Sequence, residues 1–148
     1  MKFSLPKSYG SPSPDEIKAI HEAIHLMDGF LYFHRLPNPT PATVVYTSKY
    51  LKQILKQHQL QHMVLDFTGR GMVDHSLRRL MVQHMSTPLL EMQELAIVLG
   101  RNNFRRVLID FFVRSYFRHR NTNVSCWETK DQAIDYMKQV VKSSNSTP

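Results

Sequence analysis

Cysteine is almost missing from this chain: Cys126 is the only one in 148 residues. A single thiol excludes an internal disulfide and a cysteine zinc cluster, and a reducing cytoplasm is the expected setting. Glycine is scarce as well, at five. No glycine-rich phosphate loop closing on Lys-Ser/Thr occurs, and no Gly-x-Ser-x-Gly elbow, so neither chemistry is expected. No apolar run approaches the roughly 20 residues needed to span a bilayer. The opening MKFSLPKSYGSPSP carries prolines and no long apolar stretch, which is not the pattern of a signal peptide. Acids are outnumbered, 12 against 19 lysines and arginines, for a net charge of +7. The shortage is local: six of the ten arginines lie between positions 101 and 120, where Asp110 is the only acid. Such a stretch can meet nucleic acid, anionic lipid or an acidic protein, or can simply be a solvated helix face. Nucleic acid ranks low, because no helix-turn-helix, finger or stacking motif accompanies the charge.

What is present fits one soluble domain with a real core. Hydrophobic residues make up 42% and charged residues 21%, in a chain too short for two ordinary domains. Residues 1–16, with Pro6, Gly10, Pro12 and Pro14 among serines, read as a flexible arm. Residues 143–148 read as a frayed tail, leaving 17–142 as the domain.

Turn signals divide the domain at short intervals. Ser13-Pro14-Asp15-Glu16 has the form of a capping box, and Ile17, Ile20, Ile24 and Met27 have helical spacing. Ile20, Ile24 and Leu26 also alternate, and Asp28-Gly29 is a strong hairpin turn before Phe30-Leu31-Tyr32-Phe33. The hairpin is favoured, with a helical turn before it, and residues 13–27 stay open between helix and strand. Thr40-Pro41 opens a helix whose stripe runs through Tyr50, Leu51, Ile54, Leu55 and His58. Met63–Phe67 reads as a strand. A helix follows Asp74, carrying Leu77, Leu80, Met81 and Met85. The apolar run Leu95–Leu99 reads as an interior strand. Asn102 or Asn103 caps a helix with Phe104, Leu108, Phe111, Phe112 and Tyr116. Val124–Trp127 is the last strand, and the capping box Thr129–Gln132 opens a last helix with Ala133, Ile134, Met137 and Val141 inward. The expected fold is α/β, in the order β-β-α-β-α-β-α-β-α. Its sheet is mainly parallel, with an N-terminal antiparallel hairpin.

Three constellations could carry chemistry. His21-Glu22-x-x-His25 matches the zinc-protease pattern, whose two histidines share a metal only when both stand on one helix. In a hairpin about 13 Å of strand rise would separate them, so a zinc hydrolase ranks low and no metal or other cofactor is expected. Asp66 and Asp74 could form a carboxylate pair, but a strand end and a helix start are ordinary places for turn and capping aspartates. Arg70 and Arg101 each follow a parallel strand. With the helix starts near Asp74 and Asn102 they would make an anion site at the carboxyl edge of the sheet, which Asp66 and Asp74 would partly neutralise; the alternative is two solvated loop arginines.

The central segment, Val64-Leu65-Asp66-Phe67-Thr68-Gly69 followed by Met72-Val73-Asp74-His75-Ser76-Leu77, resembles the STAS family of sulfate-transporter and anti-sigma-factor-antagonist domains. That family places Asp-Ser-Ser-Gly at a helix start after such a strand, and in its bacterial switch proteins a kinase phosphorylates the Ser directly after the Asp. His75 stands at that position here, Ser76 matches the second Ser, and Leu77 replaces the Gly. The hairpin Asp28–Tyr32, Leu95–Gly100, Phe111-Phe112, Val124–Trp127 and Thr129–Met137 look like a divergent antagonist-like, lipid-transfer-like bacterial branch. The resemblance spans about residues 19–140. It implies a non-enzymatic regulatory or protein-binding module acting through residues 66–78, with Asp74, His75 and Ser76 at the contact. The alternative is a carrier of an anionic or amphipathic small molecule, lipid or nucleotide, beside the aromatic helix. The oligomeric state is left open.

Overall fold

A computed structural model describes residues 10–68, 79, 83–84, 91–101 and 122–145. The fold is α/β, built on a five-stranded mixed sheet. In chain order the described elements are α1 (Pro14–Ala23), β1 (Ile24–Leu26), β2 (Leu31–His34), α2 (Pro41–Gln57), β3 (His62–Asp66), β4 (Glu94–Val98), β5 (Asn123–Trp127) and α3 (Lys130–Asn145). The expected helices after Asp74 and Asn102 fall largely outside the described residues.

The N-terminal helix is longer than the helical turn favoured from the sequence. The Ser13 hydroxyl accepts from the Glu16 N–H at 3.2 Å and the Glu16 carboxylate accepts from the Ser13 N–H at 2.9 Å. The helix so capped begins at Pro14, inside the stretch taken for a flexible arm, and continues to Ala23. Strand conformation starts only at Ile24, whose N–H still donates to the His21 carbonyl. The two competing patterns are both used. Ile20, on the helix, and Ile24, on the strand, are buried in one cluster, so the core accepts the same apolar spacing across a helix–strand junction. At the other end, α3 runs on to Asn145, into the stretch read as a tail.

Asp28-Gly29 turns the hairpin as expected. Met27 donates to the Phe30 carbonyl at 2.8 Å, and Gly29 takes φ +87°, a conformation open to glycine at little cost. α2 opens on a Thr40–Thr43 capping box with Pro41 in its first turn. It ends through Gln59 at φ +52°, and Leu60 donates back to the Leu55 carbonyl at 2.9 Å.

The sheet order is β1-β2-β3-β4-β5, antiparallel only between β1 and β2. α2, which joins β2 to the parallel β3, lies on one face, where Leu51 and Leu55 pack with Leu31, Phe33, Met63, Leu65, Leu95 and Ile97. α3 follows the last strand and covers the opposite face, where Ala133 and Met137 meet Phe30, Tyr32, Val64, Ala96 and Val98. With both faces covered, β3 and β4 need apolar residues in succession, as the runs Met63-Val64-Leu65 and Leu95–Leu99 supply. Burying a side chain such as Met137 contributes about 1.5–3 kcal/mol. Among the described residues no helix is long and apolar enough to cross a membrane.

Candidate functional site

The parallel strands β2 to β5 end together, and backbone bonds continue across their exits. Arg35 donates to the Asp66 carbonyl (2.8 Å), Phe67 to Val98 (3.0 Å) and Leu99 to Trp127 (2.9 Å). Open α/β sheets place ligand sites outside this carboxyl edge.

Asp66 is the centre of the edge. It ends β3 opposite His34, on the face covered by α3, and is 3% exposed. Its register places it two residues beyond Val64, the partner of Tyr32. Two residues of strand rise about 6.6 Å, a span the tyrosine side chain covers. The Tyr32 hydroxyl therefore donates to Asp66 Oδ2, at 2.5 Å. The other oxygen, Oδ1, accepts from the Thr68 N–H at 2.9 Å and from the Thr68 hydroxyl. Burial, then the bond and charge of Asp66, push the Tyr32 phenol far above its ordinary range. The ring of Tyr32 carries the Lys130 ammonium 4.6 Å above its centroid, and His25 lies 5.9 Å away. Lys130 is the first residue of α3, whose start is closed by reciprocal bonds between Thr129 and Gln132, each 3.2 Å.

Of the residues singled out from sequence, Asp74, His75, Ser76, Arg70 and Asn102 lie outside the described residues. Arg101 is described: it is exposed and its Nε lies 2.9 Å from a Glu128 carboxylate oxygen, so the guanidinium at the exit of β4 already faces an acid from the exit of β5. Asp66 does the turn chemistry expected of it, through Thr68, and also takes the Tyr32 hydroxyl. Tyr32, Glu128 and Lys130 were not anticipated. Asp66-x-Thr68 is a readable Asx-type signal, whereas nothing in the local sequence links Tyr32 to a residue 34 positions away.

The zinc-like pattern is split by the fold. His21 stands in the last turn of α1, stacked on Tyr50 with ring centroids 4.1 Å apart and bonded through Nε2 to the Tyr46 hydroxyl at 3.0 Å. His25 lies in β1 beside Tyr32. One histidine packs with α2 and the other faces the α3 side of the sheet, so they cannot share an ion. Among the described residues, no three of His, Cys, Asp and Glu gather as a metal site.

At the opposite, amino edge a second polar row crosses the α3 face. His62, Glu94 and Asn123 are register partners on β3, β4 and β5. Glu94 accepts from Asn123 Nδ2 (2.8 Å) and from the Tyr136 hydroxyl (3.2 Å). Burial lowers the affinity of His62 for a proton, against the pull of Glu94, and burial with Glu94 raises the Tyr136 phenol. Tyr136 also borders a shallow groove of about 420 Å³ with Gln139, Val140, Ser143 and Ser144. A cleft of about 250 Å³ runs between β1 and α2, beside the exposed Leu26. Cys126 is partly buried against the α2-side core, as a packing residue.

Comparison of the chain with protein-family models and with curated proteins yields no match.

Proposed function

We propose that this chain is a regulatory protein-interaction module of the STAS-like type, docking another protein through the segment that leaves β3, with Asp74, His75 and Ser76 at the contact. The observation that carries the reading is the Asp66 carboxylate. It is buried at the carboxyl end of β3 and tied to Tyr32 and Thr68, immediately before that segment. An antiparallel hairpin leading into parallel strands in chain order supports the family reading. The phosphoacceptor of the bacterial switch proteins is His75 here, so the docking scaffold is proposed without the serine switch at that position.

The test is a photo-crosslinking amino acid placed at position 75 in cells that express the protein natively, with position 52 on α2 as the control. The reading predicts one protein captured from position 75 and not from 52, with capture reduced by Ser76→Arg. Identical captures from both positions, or none from 75, would overturn it.

A second reading, an anionic small molecule such as a lipid headgroup or nucleotide held by Arg70, Arg101 and Asn102, draws support from the cations Lys130 and Arg101 at the same edge. It ranks below the first because Glu128 already occupies Arg101. Native mass spectrometry of gently purified protein decides: a bound anion supports it and a clean apo mass opposes it.

A further inference from the structure

Tyr32 of β2 and Thr68 beyond β3 meet on a single carboxylate. The Asp66 backbone carbonyl binds β2 through the Arg35 N–H, and its side chain binds β2 again through the Tyr32 hydroxyl. Its second oxygen turns the chain back on itself through the Thr68 N–H and hydroxyl. Phe67, between them, is fixed to β4 by its bond to the Val98 carbonyl. The methyl of Thr68 points at Gly100, in the turn after β4. A Cβ on Gly100 would lie 3.4 Å from Thr68 Cγ2, and Gly100 takes φ +77°. Lys130 closes the outer face of the Tyr32 ring from the first turn of α3.

A carboxylate has two oxygens and directional lone pairs, so donors from separate elements fix its orientation. Its own turn can be made by Thr68 alone, as an Asx-type turn does. The Tyr32 bond is superfluous to that turn. What it adds is a link from the turn to the neighbouring strand and, through Lys130, to α3.

We infer that Tyr32 is a positioning residue: its hydroxyl, through Asp66 and Thr68, sets the direction in which the chain leaves β3. The inference rests on the docking reading for its biological use, but not for its geometry. Tyr32 is 3% exposed, so its effect on a partner is exerted through Asp66. It acts by holding residues 66–68 at one angle to the sheet.

Amide hydrogen exchange of the full chain by NMR tests the geometry, with Tyr32→Phe, Thr68→Val and Thr68→Ser compared with the unmodified protein. Loss of one buried hydrogen bond should speed exchange at the Thr68 amide about tenfold in Tyr32→Phe, with the Leu65 and Ile97 amides within about twofold of their original rates. Thr68→Val should do the same at position 68, and Thr68→Ser, which keeps the hydroxyl, should restore protection. Equal acceleration at all three amides would make Tyr32 a general stability residue and overturn the inference, as would unchanged exchange at Thr68. The second arm repeats the crosslinking from position 75 in the Tyr32→Phe background. A several-fold drop in yield supports positioning, and an undiminished yield overturns it. Acceleration confined to the Thr68 amide, in a protein that captures nothing from position 75, would leave the positioning role of Tyr32 standing and remove the docking reading alone.

Discussion

Gly29, at the tip of the β1–β2 hairpin, lies directly against Val141 near the end of α3. A Cβ built on Gly29 would sit 2.4 Å from Val141 Cγ1. Gly29→Ala would bring both that overlap and the cost of φ +87° for a residue with a side chain. The expected loss is about 2–4 kcal/mol, read from urea unfolding. Val141→Ala in the same chain should recover part of it, because the overlap goes and the backbone cost stays. Full recovery would assign the whole effect to packing and contradict the backbone contribution.

Asp66 offers the sharpest contrast between two changes at one bond. Asp66→Ala strands the buried Tyr32 hydroxyl and removes the acceptor of both partly buried Thr68 donors, and should cost about 2–4 kcal/mol. Tyr32→Phe removes one donor and leaves the carboxylate its Thr68 bonds, for about 1–2 kcal/mol. Equal losses in thermal or urea unfolding would contradict this division of donors.

Alkaline stability follows from the tyrosines. The Tyr32 phenol is raised, above all by burial, from an ordinary value of 10.0. Above that pH the unfolded chain releases the proton while the folded chain keeps it, so the unfolded state gains. The contribution is complete below pH 10.0 and declines as pH rises beyond it. Tyr136 shifts in the same direction. Urea midpoints measured upward from pH 8 should fall above about pH 10, and Tyr32→Phe should flatten the fall. An unchanged slope in that variant would exclude Tyr32 as its source.

On the acid side the histidines act. His62 and His84 are both pushed below 6.5, chiefly by burial, with Lys49 adding to the shift at His84. The unfolded chain then binds protons that the folded chain resists, and stability declines as pH drops through and below 6.5. His62→Gln should reduce that decline in urea midpoints between about pH 7 and 5. A variant with the parent's full pH dependence would rule His62 out.

The end of α2 should be improvable. Gln59 is exposed and holds φ +52°, where a side chain is strained. Gln59→Gly should raise stability by about 0.5–1 kcal/mol, offset in part by the greater freedom of glycine in the unfolded chain. A loss of stability on thermal unfolding would show that the Gln59 side chain contributes more than its backbone costs.

Much of this protein could be read from residues close together in the chain. Capping boxes at Ser13–Glu16 and Thr129–Gln132, the Asp28-Gly29 turn, and the apolar runs of β3 and β4 are local chemistry, and each forms where its residues place it. Ile20 and Ile24 fitted both a helix and a strand, because periodicity over so few residues cannot separate them. Packing decided in favour of a junction between the two. Strand order, the face taken by each helix, the parting of His21 from His25 and the meeting of Tyr32 with Asp66 came from the tertiary structure alone. Hydrogen-bond donors and acceptors carry no address in the sequence. Which carboxylate a tyrosine reaches depends on strand register and sheet face, and these are settled only when the sheet buries its apolar residues against other elements.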